Sequence, residues 1–298
     1  MDEKQLENPS RRRLFKNLFR ASLLTLIGKG IFNASYAIAS EKIDIFIKDL
    51  PSSFDGFRLS FLTDLHSSFI VTEDFLRESA EMAMSHNPDV ILLGGDFISG
   101  GLHFSDNSTD KVDPAYMGAL FKSMSSLKAP MGIYAVLGNH EHWCGEETIN
   151  NICDGFTNSM GVKWLRDSHV VLKKDSDEIA LCGIDDYWHN GSVFESVKGI
   201  DDSMVKILLS HNPDVNEEID LMNLKIDLIL SGHTHGGQVD LPLIGSPYMP
   251  SGFGQKYKSG LVQDGERQTY ISRGVGTLVA PVRFNADPEV SLITLRKK

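Results

Sequence analysis

"LILSGHTHGGQ", residues 228–238, joins a short apolar run to two histidines and three glycines. An apolar run of this length is typical of a strand that is buried on both faces of its sheet. In an extended segment, residues two apart point to the same side, so we expect His233 and His235 to face one place. An isolated His-x-His is more often a polar loop than a pair of ligands. The interpretation therefore depends on matching side chains elsewhere in the chain.

Five apolar runs in this chain end on residue types that bind metal ions. They are "LTDLH" (62–66), "LLGGD" (92–96), "VLGNHE" (136–141), "LLSHNP" (208–213) and "LSGHTH" (230–235). Because ligands of α/β proteins bind outside the carboxyl ends of strands, we expect these side chains to meet at one edge of the fold. The predicted metal ligands are Asp64, His66, Asp96, Asn139, His211, His233 and His235.

The types of these ligands indicate which ions they would hold. Carboxylate, amide and imidazole groups without a thiolate suit Mn, Fe or Zn rather than a structural zinc held by cysteines. The three cysteines have no paired spacing, so neither a disulfide framework nor a zinc knuckle is predicted. Seven ligands are too many for one tetrahedral ion but suffice for two divalent ions if one carboxylate bridges them. Asp96, at a strand end flanked by glycines, is suited to bridging.

Strand and helix patterns alternate along residues 41–298, which predicts one domain. Apolar runs predict strands, and helical spacing of apolar residues predicts helices. The predicted strands include 57–64, 89–96, 132–140, 178–185, 205–213 and 226–235, and the predicted helices are 72–86, 114–127, 146–160 and 214–222. This order favours an α/β fold with helices outside packed mixed β-sheets. Residues 99–113 are predicted to form a long loop beside the end of strand 89–96.

In this order, the five segments resemble the D-x-H, G-D, G-N-H-[DE], H and G-H-x-H pattern of the calcineurin-like metallophosphoesterases. The resemblance implies a four-layer αββα sandwich, with two sheets packed between helices. It also implies two ion positions that share Asp96. The first position would take Asp64, His66, Asp96 and His235, and the second would take Asp96, Asn139, His211 and His233.

The same resemblance implies a catalytic role for the residue pair that follows Asn139. His140 would act near the leaving group as general acid or transition-state stabiliser, and Glu141 would orient it. The segments "SRGVGT" (272–277) and "APVRFN" (280–285) are similar to the YkuE/YaeI-type branch of bacterial exported or membrane-associated phosphoesterases. His142 departs from that branch, in which an aromatic residue is expected at this position.

The predicted function is hydrolysis of a phosphodiester or pyrophosphate by a hydroxide that bridges two ions. The expected substrate is a small-molecule or lipid-linked phosphate. One alternative is a UDP-2,3-diacylglucosamine-type pyrophosphatase of lipid A biosynthesis, at the cytoplasmic face of the inner membrane. A non-catalytic scaffold is disfavoured, because every ligand position is filled. Residues 41–298 carry a formal charge of −15, which makes nucleic acid a poor candidate partner.

Residues 1–40 differ in composition from the rest of the chain and carry a formal charge of +4. The basic segment "SRRRLFK" (10–16), the apolar "ASLLTLIG" (21–28) and the small-x-small "AIA" (37–39) follow the order of an export signal. Arg11 and Arg12 resemble the pair of a twin-arginine signal. We therefore expect contact with the twin-arginine export machinery and a location in the periplasm or cell envelope. The alternative is a membrane-associated N-terminal segment with a basic amphipathic helix on the cytoplasmic face.

A few polar residues outside the five segments are weaker candidates. Arg273 and Arg283 could meet phosphate, although a surface ion pair is the favoured interpretation of each. Asp185 and Asp186 either border the site or end a polar strand. For His103, Trp188 and His189, a solvated loop is favoured over a substrate entrance.

Overall fold

The computed structural model describes residues 37–100 and 112–298, which form two six-stranded sheets with helices on their outer faces. The strands are β1 (Ala39–Ile47), β2 (Arg58–Leu62), β3 (Val90–Leu93), β4 (Ile133–Ala135), β5 (Lys163–Trp164), β6 (Ser168–Lys174), β7 (Asp177–Gly183), β8 (Lys206–Leu209), β9 (Leu228–Ser231), β10 (Gly260–Asp264), β11 (Arg267–Ile271) and β12 (Glu289–Lys297). The α-helices are α1 (Glu73–Ser85), α2 (Pro114–Met124), α3 (Asn139–Trp143), α4 (Glu146–Met160), α5 (Val193–Val197) and α6 (Val215–Met222).

Each sheet has a parallel centre, so its strands end at a common edge. The first sheet has the order β1-β12-β2-β3-β4-β5, and β2 to β5 run parallel to one another. The second sheet has the order β10-β11-β9-β8-β7-β6, in which β11, β9, β8 and β7 are parallel. The central strands β3, β8 and β9 are buried along their whole length, as expected for β3, which is wholly apolar, and for β8 and β9, which have three apolar residues each.

The core lies in three layers, which establishes the packing of the two sheets. Residues from both sheets, such as Phe61, Leu92, Ile207 and Leu230, form one buried cluster between them. A second cluster joins the outer face of the first sheet to α1, α2 and α4, and a third joins the second sheet to α5 and α6. The predicted fold, two packed mixed sheets flanked by helices, is confirmed.

The run predicted as strand 132–140 contains two elements rather than one. Strand β4 ends at Ala135, and Asn139 begins the short helix α3, which has Gly138 as its N-cap. Helix α5 and the 3-10 turn Tyr187–His189 were also absent from the sequence-based prediction. Both are about one turn long, too short for a helical period to appear in the sequence.

The N-terminal prediction falls almost entirely outside the described residues. The twin-arginine-like segment and the apolar run lie within 1–36, and most of the predicted long loop, with His103, lies within 101–111. Strand β1 begins at Ala39, so residues 39–40 of the predicted export segment pair with β12. Within the described residues, no helix combines the length and the apolar character needed to cross a membrane.

Candidate metal centre

The predicted ligands leave the carboxyl ends of five strands and converge where the two sheets meet. Asp64 follows β2 and Asp96 follows β3 in the first sheet, while His211 follows β8 and His233 follows β9 in the second. Each lies two or three residues beyond its strand. All seven predicted ligands are buried. Six of them belong to groups whose ligand atoms lie within 4.8 Å of one another. The seventh, Asn139, lies between two residues that contact Asp96.

Five of these residues have a left-handed backbone rather than the extended one that the sequence suggested. The φ angles are 55° at Asp64, 47° at His66, 53° at Asp96, 71° at His233 and 52° at His235. The prediction of an extended backbone at these residues is therefore wrong, although both members of the Asp64/His66 pair and of the His233/His235 pair do face the site. Tight turns, not strand continuations, aim these side chains. Non-glycine residues in this region are strained, and such residues cluster at functional sites.

Two glycines let the loops that carry Asp96 and Asn139 approach each other. A Cβ on Gly95 would lie 2.6 Å from the backbone nitrogen of Gly138. A Cβ on Gly138 would lie 2.6 Å from the backbone nitrogen of Asp96 and closer still to its Oδ1. A side chain at either position would force the two loops apart.

The first group of ligand atoms matches the first ion position that the resemblance implies. Nε2 of His66 lies 3.1 Å from Nε2 of His235 and 3.9 Å from Oδ1 of Asp64. Nε2 of His235 lies 3.4 Å from the same Asp64 oxygen. Two imidazole nitrogens and a carboxylate oxygen thus face a common point, which is the arrangement of a metal site.

Asp96 joins this group to a second one. Its Oδ2 lies 3.6 Å from Nε2 of His66 and 3.1 Å from Nε2 of His211. Nδ1 of His233 lies 3.2 Å from the same His211 nitrogen. One carboxylate therefore has neighbours on both sides, as the predicted bridging ligand requires.

The chemistry of the donor set fits divalent metal ions. Oδ1 of Asn139 is buried and has no hydrogen-bond partner among the described residues. Buried polar atoms are rarely left unpaired, and binding of an ion is one accepted reason. The residues present therefore fit the group that the resemblance implies.

Backbone carbonyls orient three of the histidine rings. Nδ1 of His66 donates to the carbonyl of Ile98 (3.1 Å), and Nδ1 of His211 donates to the carbonyl of Gly94 (2.8 Å). Nδ1 of His140 donates in the same way to the carbonyl of Gly100 (2.5 Å). Each bond leaves Nε2 free to face the site, and metal-binding histidines usually donate their other ring N–H to a carbonyl or carboxylate in this way.

Burial and charge give these histidines different pKa values, and thus different protonation states, in the metal-free protein. Burial and the neighbouring histidines lower the pKa values of His66 and His233 to about 3. Burial opposes protonation of His211 too, but the charges of Asp96 and nearby carboxylates outweigh it and raise the pKa to about 10. His211 therefore carries a proton at neutral pH until an ion displaces it.

His140 lies at the site, but Glu141 does not orient its ring. Nε2 of His140 is 3.9 Å from Oδ2 of Asp96, and the carbonyl of Gly100 holds its other ring nitrogen. The buried Glu141 carboxylate instead accepts hydrogen bonds from the backbone N–H groups of Asp96, Phe97 and Gly138. The expectation that Glu141 orients His140 is thus wrong. Glu141 ties the two ligand loops together.

The two arginine candidates have different surroundings. Arg273 pairs with Glu41 and Glu289, as the ion-pair interpretation predicted. Arg283 is fully buried, so the same interpretation was wrong for it. Its guanidinium donates to the carbonyls of Gly276 and Ala286, and Nη2 lies 3.0 Å from Nδ1 of His235. Arg283 thus contacts the Nδ1 side of the His235 ring, whereas Nε2 of that ring faces the other ligands. This position does not suit Arg283 for binding phosphate.

Asp185 and Asp186, which follow β7, belong to a hydrogen-bonded network beside the second ligand group. Asp185 accepts hydrogen bonds from His142 (2.7 Å) and Arg166 (2.7 Å), and these bonds outweigh burial and lower its pKa to about 2. Asp186 is fully buried and bonds to His189, whose ring stacks on His142. His189 is therefore part of this network, not a residue of a solvated loop, and His142 contacts Asp185.

Two partly exposed tryptophans line the edge of the site. The ring of Trp143 packs against His140, with centroids 4.8 Å apart, and Trp188 packs edge-on against His233 at 4.6 Å. Trp143 is not among the site residues predicted from the sequence. Its position three residues after His140 would have indicated that the two side chains are neighbours on a helix.

Comparisons with known proteins agree with this geometry. The family pattern described as calcineurin-like phosphoesterase matches residues 57–237. The chain is 30% identical to phosphodiesterase YaeI of Escherichia coli over 250 residues, covering 84% of this chain and 85% of that protein. It is 29% identical to the metallophosphoesterase YkuE of Bacillus subtilis, covering 98% and 99%, and 32% identical to YpbG of the same organism, covering 79% of each. Because the family pattern matches more than half of its length, this chain belongs to the calcineurin-like phosphoesterase family.

Proposed function

We propose that this protein hydrolyses phosphodiester or pyrophosphate bonds with two divalent metal ions that share Asp96. The single observation that carries the proposal is the position of Asp96 Oδ2, with His66 Nε2 at 3.6 Å on one side and His211 Nε2 at 3.1 Å on the other. Two such ions, when bound, would polarise the phosphoryl oxygens and activate water near neutral pH. The first ion would be held by Asp64, His66, Asp96 and His235, and the second by Asp96, Asn139, His211 and His233.

His140 is the side chain best placed to move a proton in this reaction. Its Nδ1–H is committed to the carbonyl of Gly100, so Nε2 is the atom that faces the metal centre. A protonated Nε2 can stabilise the charge on a phosphoryl oxygen or deliver a proton to the oxygen that leaves. The Trp143 ring against His140 shields one face of the imidazole from water and limits its rotation.

A substrate panel with defined metals tests this proposal. Metal-free protein is reconstituted separately with Mn²⁺, Fe²⁺ and Zn²⁺, and ion stoichiometry is measured by elemental analysis. Each form is then assayed with a simple phosphodiester, a phosphomonoester and a nucleoside diphosphate-linked sugar. We expect two ions per chain and turnover of the diester or the pyrophosphate. One ion per chain, or no turnover of any substrate by a metal-replete preparation, would contradict the proposal.

A lipid-linked pyrophosphate is a second candidate substrate, and the exposed apolar side chains of two loops favour it. Leu243, Ile244 and Val279 are strongly exposed apolar side chains on two loops. Gln238, three residues beyond His235, hydrogen-bonds to the backbone of Leu278, next to Val279. Exposed apolar side chains on loops that follow a ligand segment are a feature of surfaces that contact lipid or apolar ligands.

The two substrate classes can be separated with one pair of pyrophosphates. We expect kcat/KM for a UDP-linked acylated sugar to exceed that for the unacylated sugar if these loops contact acyl chains. A variant with Leu243→Ser and Ile244→Ser should remove the preference and leave turnover of the unacylated compound unchanged. Equal kcat/KM for both compounds in the unaltered protein would reject the lipid-linked candidate.

We also propose that the N-terminal forty residues direct export by the twin-arginine route, on the strength of Arg11, Arg12 and the apolar segment after them. A reporter fused after Lys298 tests this. Changing Arg11 and Arg12 to Lys should retain the reporter in the cytoplasm. An unchanged distribution would favour the membrane-associated alternative on the cytoplasmic face.

A further inference from the structure

A buried carboxylate oxygen beside the metal centre has the same property as the predicted ligand atom of Asn139. Oδ1 of Asp186 is buried and has no hydrogen-bond partner among the described residues, like Oδ1 of Asn139. Asn139 belongs to the predicted ligand set, and Asp186 does not. An unpaired buried carboxylate oxygen needs a physical reason, because it has lost its water without gaining a donor.

The fold places Asp186 on the side of the second ion position. It follows β7, which ends at Gly183 and pairs in parallel with β8, the strand that precedes His211. The His142 ring, which contacts Asp185 and stacks on His189, belongs to the short helix α3 that begins at Asn139. Trp188, two residues further along, contacts His233.

Asp186 is held so that only one of its oxygens is available. Nδ1 of His189 donates to Oδ2 at 2.5 Å, and the His189 ring stacks on His142 at 4.5 Å with nearly parallel planes. The neighbouring Asp185 differs, because both of its oxygens already accept hydrogen bonds from side chains. The pair therefore contains one satisfied carboxylate and one with a free acceptor.

We propose that Oδ1 of Asp186 accepts a hydrogen bond from a water held at the second ion position and thereby strengthens ion binding there. Asp186 lies outside the groups whose ligand atoms are within 4.8 Å of one another, which favours contact through water over direct ligation. This makes Asp186 a positioning residue and His189 the group that fixes its orientation. The inference rests on the proposed function, because it requires the two-ion centre.

Metal binding by metal-free protein tests the inference without any assay of activity. Mn²⁺ is titrated calorimetrically into the unaltered protein and into Asp186→Asn, whose side chain has the same shape without the charge. We expect the second equivalent to bind about 10–100-fold more weakly in the variant, with the first unchanged. Asp185→Asn is the matched control, and we expect its Mn²⁺ affinities to stay within about twofold. His189→Phe keeps a stacking ring but removes the donor, so it should weaken the second equivalent without altering the first.

The possible outcomes distinguish failure of the role of Asp186 from failure of the two-ion centre. Loss of Mn²⁺ affinity in Asp186→Asn but not in Asp185→Asn supports the inference. Unchanged binding in Asp186→Asn, or an equal loss in both variants, overturns it and leaves the two-ion proposal standing. If Asp186→Asn does not fold, as judged by circular dichroism, His189→Phe decides the matter, and unchanged binding there overturns the inference. An unaltered protein that binds none of Mn²⁺, Fe²⁺ and Zn²⁺ refutes the proposed function itself.

Discussion

The close approach of Gly138 to Asp96 predicts that the substitution Gly138→Ala disturbs the metal ligands. The backbone of Gly138 is extended, with φ −109° and ψ −178°, so alanine is conformationally acceptable there and only the added methyl group matters. That methyl carbon would lie 2.6 Å from the backbone nitrogen of Asp96. Because non-bonded heavy atoms are comfortable at about 3.5 Å, the two loops must separate by roughly 0.9 Å.

Such a displacement exceeds what a metal site tolerates. Ligand distances in metal sites hold to within about 0.2 Å, so a shift of this size in Asp96 or Asn139 removes a ligand from at least one ion. Overpacking should also lower the free energy of unfolding by about 1–3 kcal/mol. We expect Gly138→Ala to fold, to lose at least one equivalent of Mn²⁺ by elemental analysis, and to lose at least about 100-fold in kcat.

Gly118→Ala is the matched control for this prediction. Gly118 lies inside α2, and a Cβ there has no neighbouring atom within 4 Å. Alanine should raise the free energy of unfolding by about 0.5–1 kcal/mol through its helix propensity and leave metal content unchanged. If Gly138→Ala instead binds two equivalents with unaltered affinity, the close approach of the two loops does not position the ligands and the reasoning is refuted.

Three further predictions address the proton, the ions and the buried guanidinium. His140→Ala should keep both ions but lower kcat about 10²–10⁴-fold, and loss of metal or unchanged turnover would contradict the role of Nε2. Because the metal-free pKa of His211 is about 10, ion binding below that pH must displace a proton. The apparent affinity should thus rise about tenfold per pH unit, with about one proton released in calorimetry across buffers of different ionisation enthalpy. In metal-free protein, the stabilisation contributed by protonated His211 should be lost as the pH rises from about 6.5 through 10. If metal binding releases no proton, His211 is neutral in the metal-free protein and the prediction is wrong. Arg283→Met should lower the free energy of unfolding by about 2 kcal/mol, because two buried carbonyls lose their donor, whereas Arg166→Met at the partly exposed pair should change it by less than about 1 kcal/mol. Equal thermal shifts for the two arginine variants would refute that distinction.

The ligand types and the alternation of strands were readable from the sequence because both are local. A four-residue apolar run such as that of β3 predicts a buried strand, and the polar residue after it lies at the edge of the sheet wherever the fold places that edge. The choice of Asp64, Asp96 and His211 as candidates needed only their positions after such runs. Their convergence followed from the rule that parallel strands end together.

The backbone at the ligands and the residues behind them could not be predicted in this way. The left-handed φ of His235 depends on the turn through Gly236 and on contacts with the 274–286 segment, which is distant in sequence. Arg283 stands in an irregular segment without periodicity, so nothing local indicated that the carbonyls of Gly274, Gly276 and Ala286 would surround its guanidinium. Glu141 appeared to be a partner of His140 because it is adjacent to it, but its carboxylate faces the opposite loop.

Because five ligands have a left-handed backbone, the availability of metal ions determines how much destabilisation by mutation the chain can tolerate. At about 1 kcal/mol each, these turns together cost about 5 kcal/mol, comparable with the entire net stability of many domains. Bound ions would offset that cost, since they bind the folded state and not the unfolded one. A core substitution such as Leu92→Ala should therefore be tolerated when metal is abundant and cause unfolding when metal is scarce. The range of acceptable sequences then depends on the environment in which the protein works.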